Sequence, residues 1–381
     1  MDQPSISLCM IVRNEAEYLP KCLGSVMRMV DEIIIVDTGS TDDTVAIAKA
    51  FGANVIQMPW GDSFSAARNR GLEEATGDWI LWLDADEVMD VAEAGKLKEL
   101  LTRDAIQEQC VEGLQFYFIH HMKAGVVEHN CLQRMVRNRP EYRFEGRVHE
   151  QILPSMLKAN PGMAIGQVDI HVHHYGNLVP NMVRQDKLRR NISLLLQSIQ
   201  EYPNYRQYHY YLGVELYRLN ELEGALRCFN SVLSAPTGFS KTMLSTAHKN
   251  RLITLETMGR FRDMVQYSEE STALFPDFTD LYHLKAAGWK ALGQTDKAVD
   301  CLQQALSLGP APEEYSSEAG FGTYVTCREL GILYASAGNL KEADLYWTLA
   351  SLMGSGAKNS DLGLTDIAEE REGGTMLQPD R

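Results

Sequence analysis

The first third of the chain alternates between short apolar runs and stretches with helical periodicity. Helices are predicted at residues Thr41 to Phe51 and Ser63 to Ala75, where apolar residues recur at helical spacing. Four apolar runs have the length and composition of buried strands: Ile6 to Val12, Glu32 to Asp37, Ala53 to Gln57 and Trp79 to Leu83. Strands that alternate with helices in this way predict an α/β fold with a mostly parallel, doubly wound sheet.

From about residue 111 the pattern changes, first to further strands and then to helices alone. The further strands are predicted at Val111 to Ile119, Cys131 to Val136 and Gln167 to Val172. Beyond them, small residues recur at two positions of a helical pattern: Ala225, Ala298 and Ala343 at one, and Gly259, Gly293 and Gly338 at the other. This recurrence resembles the tetratricopeptide repeat, in which stacked helix pairs share a core. We therefore predict an α/β domain over residues 1–190, a helical-repeat domain over 191–354 and a disordered polar tail over 355–381.

Composition narrows the possible functions. The chain has 381 residues and a net charge of −15, which argues against a nucleic-acid partner because phosphate backbones bind basic surfaces. An acidic chain that binds an anionic ligand needs a metal cation or a local group of basic residues. The seven cysteines are scattered and form no C-x-x-C pair, as is typical of a reducing compartment. No apolar run is long enough for a membrane span and no signal peptide is evident, so we expect a cytoplasmic protein.

Three polar clusters follow predicted strands, at Arg13 to Glu15, Asp37 to Asp42 and Asp84 to Glu87. Ligands of open parallel sheets bind at the carboxyl ends of strands, so the three clusters predict a shared site. Two carboxylates separated by one small residue, Asp84 and Asp86, can face a hard cation such as Mn²⁺ or Mg²⁺, which would bridge phosphate oxygens. The structural alternative is that these acidic residues cap the helix predicted to begin near Asp90.

Four ordered motifs carry a resemblance to a known family: Ser7 to Glu15, Ile35 to Asp42, Ala67 to Asn69 and Leu83 to Glu87. Together they resemble the family 2 glycosyltransferases of the GT-A fold, over residues 5 to about 90. The later segments Phe144 to Glu150 and His174 to Gly176, followed by tetratricopeptide-like repeats, resemble a bacterial subgroup. Some members of that subgroup glycosylate peptides, including cysteines of bacteriocins, and others build surface glycans.

The resemblance implies roles for individual residues. Glu15 and Asp37 would hold the base and ribose of the nucleotide, and Asp37 could instead only cap the turn that follows it. Asp84, with Ala85 beside it, would contact the ribose or the water shell of the metal. Arg68 would reach the donor phosphate or sugar, its alternative being a surface salt bridge.

The metal and the chemistry are assigned by the same resemblance. Asp86 would be the principal metal ligand, and His174, together with Tyr175, would close over the diphosphate or add a ligand. Its alternative is an ordinary packed histidine. The neighbouring His171 and His173 could form a wall of the site. Further basic residues on the helix that leaves the α/β domain could offset phosphate charge: Lys187, Arg189 and Arg190.

The family inverts the anomeric centre, so a carboxylate must deprotonate the acceptor. Glu150 is the candidate base, with Asp62 and Glu87 as rivals and Glu145 as its nearest acidic neighbour in sequence. A structural salt bridge between Glu150 and Arg147 is the alternative role.

These assignments imply an enzyme that transfers a sugar from a nucleoside-diphosphate sugar, UDP being the commonest nucleotide, to a peptide, protein or glycan. Helical repeats could also mediate a homodimer or the docking of a partner. Two alternatives stay open: a repeat scaffold whose catalytic domain is degenerate, and a protein that only binds or makes sugar nucleotides. The second usually carries a glycine-rich phosphate loop after the first strand, and the segment Val12 to Glu17 contains no glycine.

Overall fold

The computed structural model describes residues 3–102, 106, 110–121, 127–178 and 181–354. The polar tail expected over residues 355–381 lies outside the described residues. Two compact units are present, the first ending at Leu219 and the second beginning at Asn220.

The first unit is built on one sheet of eight strands in the order β3-β2-β1-β4-β7-β6-β8-β5. The four strands β3, β2, β1 and β4 are parallel, β6 and β8 are also parallel, and the other neighbours are antiparallel. The strands are β1 Ile6–Val12, β2 Glu32–Asp37, β3 Asn54–Gln57, β4 Trp79–Trp82, β5 Glu87–Met89, β6 Val111–His121, β7 Val127–Arg137 and β8 Ala164–His174. The mostly parallel sheet and the seven predicted strands are confirmed. The short β5 was not predicted, because three residues inside an acidic segment give no apolar run.

Helices cover both faces of the sheet. They are α1 Leu19–Val26, α2 Thr44–Ala50, α3 Phe64–Leu72, α4 Val91–Ala94, α5 Leu97–Leu101, α6 Leu153–Ala159, α7 Asn181–Glu201 and α8 Gln207–Arg218. Strand β1 is buried on both sides: Leu8 and Met10 belong to one core cluster, and Cys9 to another. This two-sided burial explains the uninterrupted apolar runs of the central strands. Ser63 caps the start of helix α3, and its hydroxyl accepts the N–H of Ala66 at 3.2 Å.

Helices α7 and α8 belong to the first unit, whereas the sequence pattern places the domain boundary at residues 190 and 191. Contacts explain the difference. Arg147 is paired with Glu201 at the end of α7, and the side-chain amide of Asn191 on α7 donates to Glu215 on α8 at 3.1 Å. The change from strands to helices in the sequence therefore precedes the end of the compact unit by two helices.

The second unit consists of helices among the residues that the structure describes. They are α9 Leu222–Leu233, α10 Lys241–Thr257, α11 Phe261–Leu274, α12 Thr279–Ala291, α13 Thr295–Leu308, α14 Tyr324–Ser336 and α15 Leu340–Gly354. Gly259, Gly293 and Gly338 lie in the turns inside three helix pairs with φ of 69°, 73° and 80°, a conformation that favours glycine. The recurring alanines Ala225, Ala298 and Ala343 are fully buried. The tetratricopeptide-like architecture is confirmed.

Candidate active site

A cavity of about 400 Å³ opens at the carboxyl ends of β1 and β4. This is the edge where open α/β sheets bind ligands. Its charged lining consists of four carboxylates, Glu15, Asp84, Asp86 and Glu150, and four basic residues, Arg13, Arg68, Lys187 and Arg190. Ala85 and His174 also line it. Five other residues expected at this site do not line the cavity: Asp37, His171, His173, Tyr175 and Arg189.

Asp37 lies beside the cavity and does not line it. Its carboxylate is buried and accepts the backbone N–H groups of Gly39 and Ser40 at 3.1–3.3 Å. The turn-capping alternative therefore describes the contacts of Asp37, and Thr38 is the residue of this segment that lines the cavity.

The loops that follow β1 and β2 are fixed to one another. Asn14 adopts a φ of 56°, and its side-chain oxygen accepts the N–H of Thr41 at 2.8 Å. The next residue, Glu15, donates its own N–H to the hydroxyl of Thr44 at 2.8 Å. Burial, followed by the nearby charge of Asp86, raises the pKa of Glu15 to about 7. These contacts hold a carboxyl group with a high pKa at the cavity wall.

The two aspartates of the Asp84-Ala85-Asp86 segment have opposite environments. Burial alone would raise the pKa of Asp84, but the guanidinium groups of Arg68, at 2.9 Å, and Arg134, at 4.0 Å, outweigh it and lower the pKa to about 2. Burial also acts on Asp86, and there the charges of Asp84 and Glu87 add to it, so the pKa rises to about 7. Arginine therefore favours the charged form of Asp84, whereas Asp86 forms no ion pair with a lysine or arginine among the described residues.

The pairing of β5 with β8 places His174 beside Asp86. Glu87 lies opposite His174 in the ladder, and the N–H of Tyr175 donates to the carbonyl of Asp86 at 3.0 Å. The Nε2 of His174 is 3.7 Å from Oδ1 of Asp86. A Cβ built on Gly176 would overlap Oδ2 of Asp86 and lie 2.7 Å from Nε2 of His174. The missing side chain of Gly176 thus keeps the space between carboxylate and imidazole open.

These donor atoms suit a divalent cation only in part. Carboxylate and imidazole are ligands that Mn²⁺ accepts. Across the described ranges, however, no group of three or more His, Cys, Asp or Glu side chains is arranged to hold a metal ion. A cation at Asp86 and His174 would therefore take its other ligands from phosphate oxygens and water, as is common where Mg²⁺ or Mn²⁺ binds a nucleotide.

Arg68 connects Glu150 to Asp84. Its Nε donates to Oε1 of Glu150 at 2.6 Å and its Nη2 to Oδ1 of Asp84 at 2.9 Å. The third nitrogen, Nη1, is buried without a hydrogen-bond partner. Arg68 is thus an interior cation and not the surface salt bridge weighed as an alternative. Arg147 pairs with Glu201, so the proposed alternative pair of Glu150 and Arg147 is not formed.

The rival bases occupy other positions. Glu87 is buried in a two-bond ion pair with Arg134, at 2.7 and 3.0 Å, and does not line the cavity. Asp62 and Glu145 are exposed and also lie outside the lining. Of the four carboxylates weighed for this role, Glu150 is the one at the cavity.

Three further basic side chains lie at the cavity. Arg13, Lys187 and Arg190 line the cavity, and in the part of the chain that the structure describes none of them forms an ion pair with a carboxylate. The guanidinium of Arg190 lies 4.9 Å from the ring centre of Phe64. Burial, followed by the charge of Arg13, lowers the pKa of Arg190. Arg189, predicted with them, is exposed and does not line the cavity.

The two histidines that precede His174 on β8, His171 and His173, contact residues outside the cavity. His171 contacts Glu93 at 3.0 Å, and His173 contacts His121 at 3.0 Å, so neither forms the wall suggested from sequence. The cavity residues that sequence reasoning missed include Trp60, Phe64 and Asn191. The tryptophan and phenylalanine sit in a conspicuous aromatic segment just before Arg68, which was the available signal.

Comparison with known proteins agrees with this architecture. Residues 7–140 match the family model described as glycosyl transferase family 2. The chain is 32% identical over 318 residues to a TPR repeat-containing protein of Synechococcus elongatus, an alignment covering 80% of this chain and 76% of that protein. It is 31% identical over 235 residues to the SPbeta prophage-derived glycosyltransferase SunS of Bacillus subtilis, covering 59% of this chain and 52% of SunS, so it spans about half the length of that relative.

Among solved structures, S. aureus TarS residues 1–349 in complex with UDP-GlcNAc is similar, with a TM-score of 0.40, 16% identity and coverage of 77% of this chain and 90% of that one. The sheet, with the cavity at its carboxyl edge, places the molecule among enzymes of the GT-A fold. The chain belongs to the family 2 glycosyltransferases and carries C-terminal tetratricopeptide-like repeats. No helix in the described ranges has the length and apolar character that crossing a membrane requires.

Proposed function

We propose that this glycosyltransferase moves a hexose, with inversion, from a nucleoside-diphosphate sugar to a peptide, protein or glycan, assisted by Mn²⁺ or Mg²⁺. UDP is the first nucleotide to test. The observation that carries the proposal is the cavity itself, which combines unmatched carboxylates with unmatched basic side chains. A donor with a diphosphate and a bound cation offers the complementary charges for both sets.

The donor would lie with its nucleoside near Glu15 and Thr38, and Asp37 would support that wall through the turn that it caps. Asp84 and Ala85 would contact the ribose side. The diphosphate would face Arg13, Lys187 and Arg190, whose positive charges have no carboxylate partner among the described residues. Such preorganised cations stabilise the negative charge that develops on a leaving diphosphate.

Asp86 and His174 are the residues that would hold the cation. A divalent metal at this position supplies Lewis-acid stabilisation of the diphosphate as the glycosidic bond breaks. The chain contributes the remaining features: burial, followed by the charges of Asp84 and Glu87, raises the pKa of Asp86, and Gly176 leaves room between the two proposed ligands.

Glu150 would take the proton from the acceptor. Arg68 binds its Oε1 at 2.6 Å, which orients the carboxylate and leaves Oε2 as the atom that receives the proton. The same arginine binds Asp84, so the base is tied directly to the donor side of the site. Positioned general bases of this kind contribute about 100- to 10,000-fold to rate.

The acceptor class rests on the resemblance to the peptide- and surface-glycan-modifying subgroup. The seven cysteines are all free thiols, which supports our proposal of a reducing, cytoplasmic location. The homodimer expected from the repeats stays a prediction.

The test is a screen of UDP-, GDP- and TDP-sugars for hydrolysis and transfer, with Mn²⁺, Mg²⁺ or EDTA, followed by mass measurements on peptides encoded near the gene. We expect metal-dependent turnover of one donor class and its loss, by at least about 1,000-fold, in Asp86→Ala. Asp43→Ala removes an exposed carboxylate at the same edge of the sheet and should leave the rate unchanged. Donor binding without turnover by the intact chain would favour the sugar-nucleotide-binding alternative, and no binding at all would favour the scaffold.

A further inference from the structure

Four polar side chains form a row across four neighbouring strands. Asn130 is on β7, His120 on β6, His174 on β8, and Asp86 immediately precedes β5, in the spatial order β7-β6-β8-β5. The ladder places His120 opposite His174 on one side, and on the other side Glu87, which follows Asp86, opposite His174. Residues from distant parts of the sequence are thus aligned by strand register.

The row is connected by short contacts. Oδ1 of Asn130 is 2.9 Å from Nε2 of His120, and Nδ1 of His120 is 2.9 Å from Nδ1 of His174. The two imidazole rings are nearly perpendicular, at 83°. The far nitrogen of His174, Nε2, faces Asp86 at 3.7 Å.

The donors and acceptors in this row follow from its first member. A carboxamide oxygen only accepts, so Nε2 of His120 carries its proton and donates to Asn130. In a neutral imidazole the other nitrogen then has a lone pair, so Nδ1 of His120 accepts from His174. His174 must therefore carry its proton on Nδ1, which leaves a lone pair on Nε2, directed at the space beside Asp86.

We propose that Asn130 and His120 are positioning residues that hold His174 in the one tautomer able to bind a divalent cation together with Asp86. The inference rests on the proposed function, because it concerns the cation that the proposal places at this site. If each donor and acceptor in the row were exchanged, the proton of His174 would lie on Nε2. That proton would then block the nitrogen that faces the cation. A hydrogen bond to the remote nitrogen of a metal-binding histidine commonly changes metal affinity by about 10- to 100-fold.

The test uses two variants of Asn130 in the full chain. Asn130→Asp has the same length and presents only acceptors, so Nε2 of His120 must still donate to it. Asn130→Leu has similar size and no polar atom, so no acceptor remains to fix the tautomers of His120 and His174. Binding of Mn²⁺, alone and with UDP, would be followed by the loss of the free-ion electron paramagnetic resonance signal. We expect Asn130→Asp to bind Mn²⁺ at least as tightly as the wild type and Asn130→Leu about 10-fold or more weakly.

The negative charge that Asn130→Asp adds could itself strengthen Mn²⁺ binding, so a second measurement follows the tautomer of His174 directly. Nitrogen NMR of the imidazole groups in the metal-free protein should show His174 protonated on Nδ1 in the wild type and in Asn130→Asp, and a mixture of tautomers in Asn130→Leu. Equal tautomer populations and equal Mn²⁺ affinities in both variants would overturn the inference.

A third variant separates this inference from the proposed function. His174→Ala should weaken Mn²⁺ binding more than either change at Asn130. If His174→Ala binds Mn²⁺ as the wild type does, the proposed metal site is wrong. If His174→Ala weakens binding and Asn130→Leu does not, the site stands and the positioning role is wrong. Unchanged circular dichroism and melting temperatures confirm that each variant is folded.

Discussion

A buried ion pair in the second unit and two carboxyl groups in the cavity of the first unit differ in how their charges are balanced. In the second unit, Nζ of Lys249 lies 2.6 Å from the fully buried carboxylate of Asp280, so each charge has its partner. In the cavity of the first unit, burial and neighbouring carboxylates raise the pKa values of both Glu15 and Asp86 to about 7. The difference teaches that a matched buried pair is a structural element that is costly to break, whereas unpaired carboxyl groups that share a cavity mark a site prepared for a ligand.

The largest effect should come from the base. Glu150→Gln keeps an oxygen for the hydrogen bond from Arg68 but cannot accept the acceptor proton, so the transfer rate should fall by about 100- to 10,000-fold with donor affinity nearly unchanged. Steady-state transfer kinetics and donor titration would check both halves. Glu145→Gln, an exposed residue nearby in the chain, is the matched control and should retain full activity. A Glu150→Gln enzyme with normal turnover would remove this residue from the mechanism.

The next effect concerns stability in the second unit. Asp280→Asn leaves the ammonium of Lys249 buried with only the exposed carboxylate of Glu318, at 3.1 Å, to balance it. We expect the second unit to lose about 3 kcal/mol of unfolding free energy. Chemical denaturation followed by circular dichroism would measure the loss.

The repeats also supply the control for that prediction. Lys241 and Glu314 form a pair of nearly the same length, 2.7 Å, on the surface. Glu314→Gln should leave the unfolding midpoint unchanged, because exposed pairs are screened by water. If the buried and exposed variants behaved alike, burial would not be what distinguishes the charges of the second unit.

A smaller effect is expected at Gly176, which leaves the space between Asp86 and His174 open. Gly176→Ala places a Cβ against Asp86 and His174, so the two must move apart. Mn²⁺ affinity and metal-dependent turnover should fall by about 10- to 100-fold, or about 1.4–2.7 kcal/mol. Gly162→Ala, in a loop where the nearest atom is 4.0 Å away, is the control and should change neither quantity. Equal Mn²⁺ affinity in the two variants would show that Gly176 has no part in the metal site.

The strand ends that form the site and the turns of the repeats could be predicted from the sequence, because both depend on local patterns. The strand ends that carry Glu15, Asp84 and Asp86 follow apolar runs, and the turn glycines of the repeats recur at one position of a helical pattern. The end of the first unit could not be predicted, since it depends on what α7 and α8 contact.

The supporting residues of the site were missed for a related reason. His120 and Asn130 are connected to His174 only through the pairing of β6 with β7 and β8, and both pairings contain a shift in register. Periodicity gives the faces of a strand but not the strand beside it, and one residue of shift changes every neighbour. Arg134, which lowers the pKa of Asp84, comes from the same strand β7 and was missed in the same way.

The smallest expected effect tests whether the unmatched charge in the cavity has a cost. Because burial and Asp86 raise the pKa of Glu15 from 4.5 to about 7, the folded state binds a proton that the unfolded state has already released. The stability from this proton is complete below pH 4.5 and is lost as the pH rises through 7. Glu15→Gln removes that loss, so in metal-free protein the variant should match the wild type near pH 4.5 and melt higher at pH 8. A gain of about 1 kcal/mol corresponds to about 2–4 °C for a unit of this size. Thermal melts at the two pH values would measure the difference, and a gain that is the same at both would show that the cavity charge is not its cause.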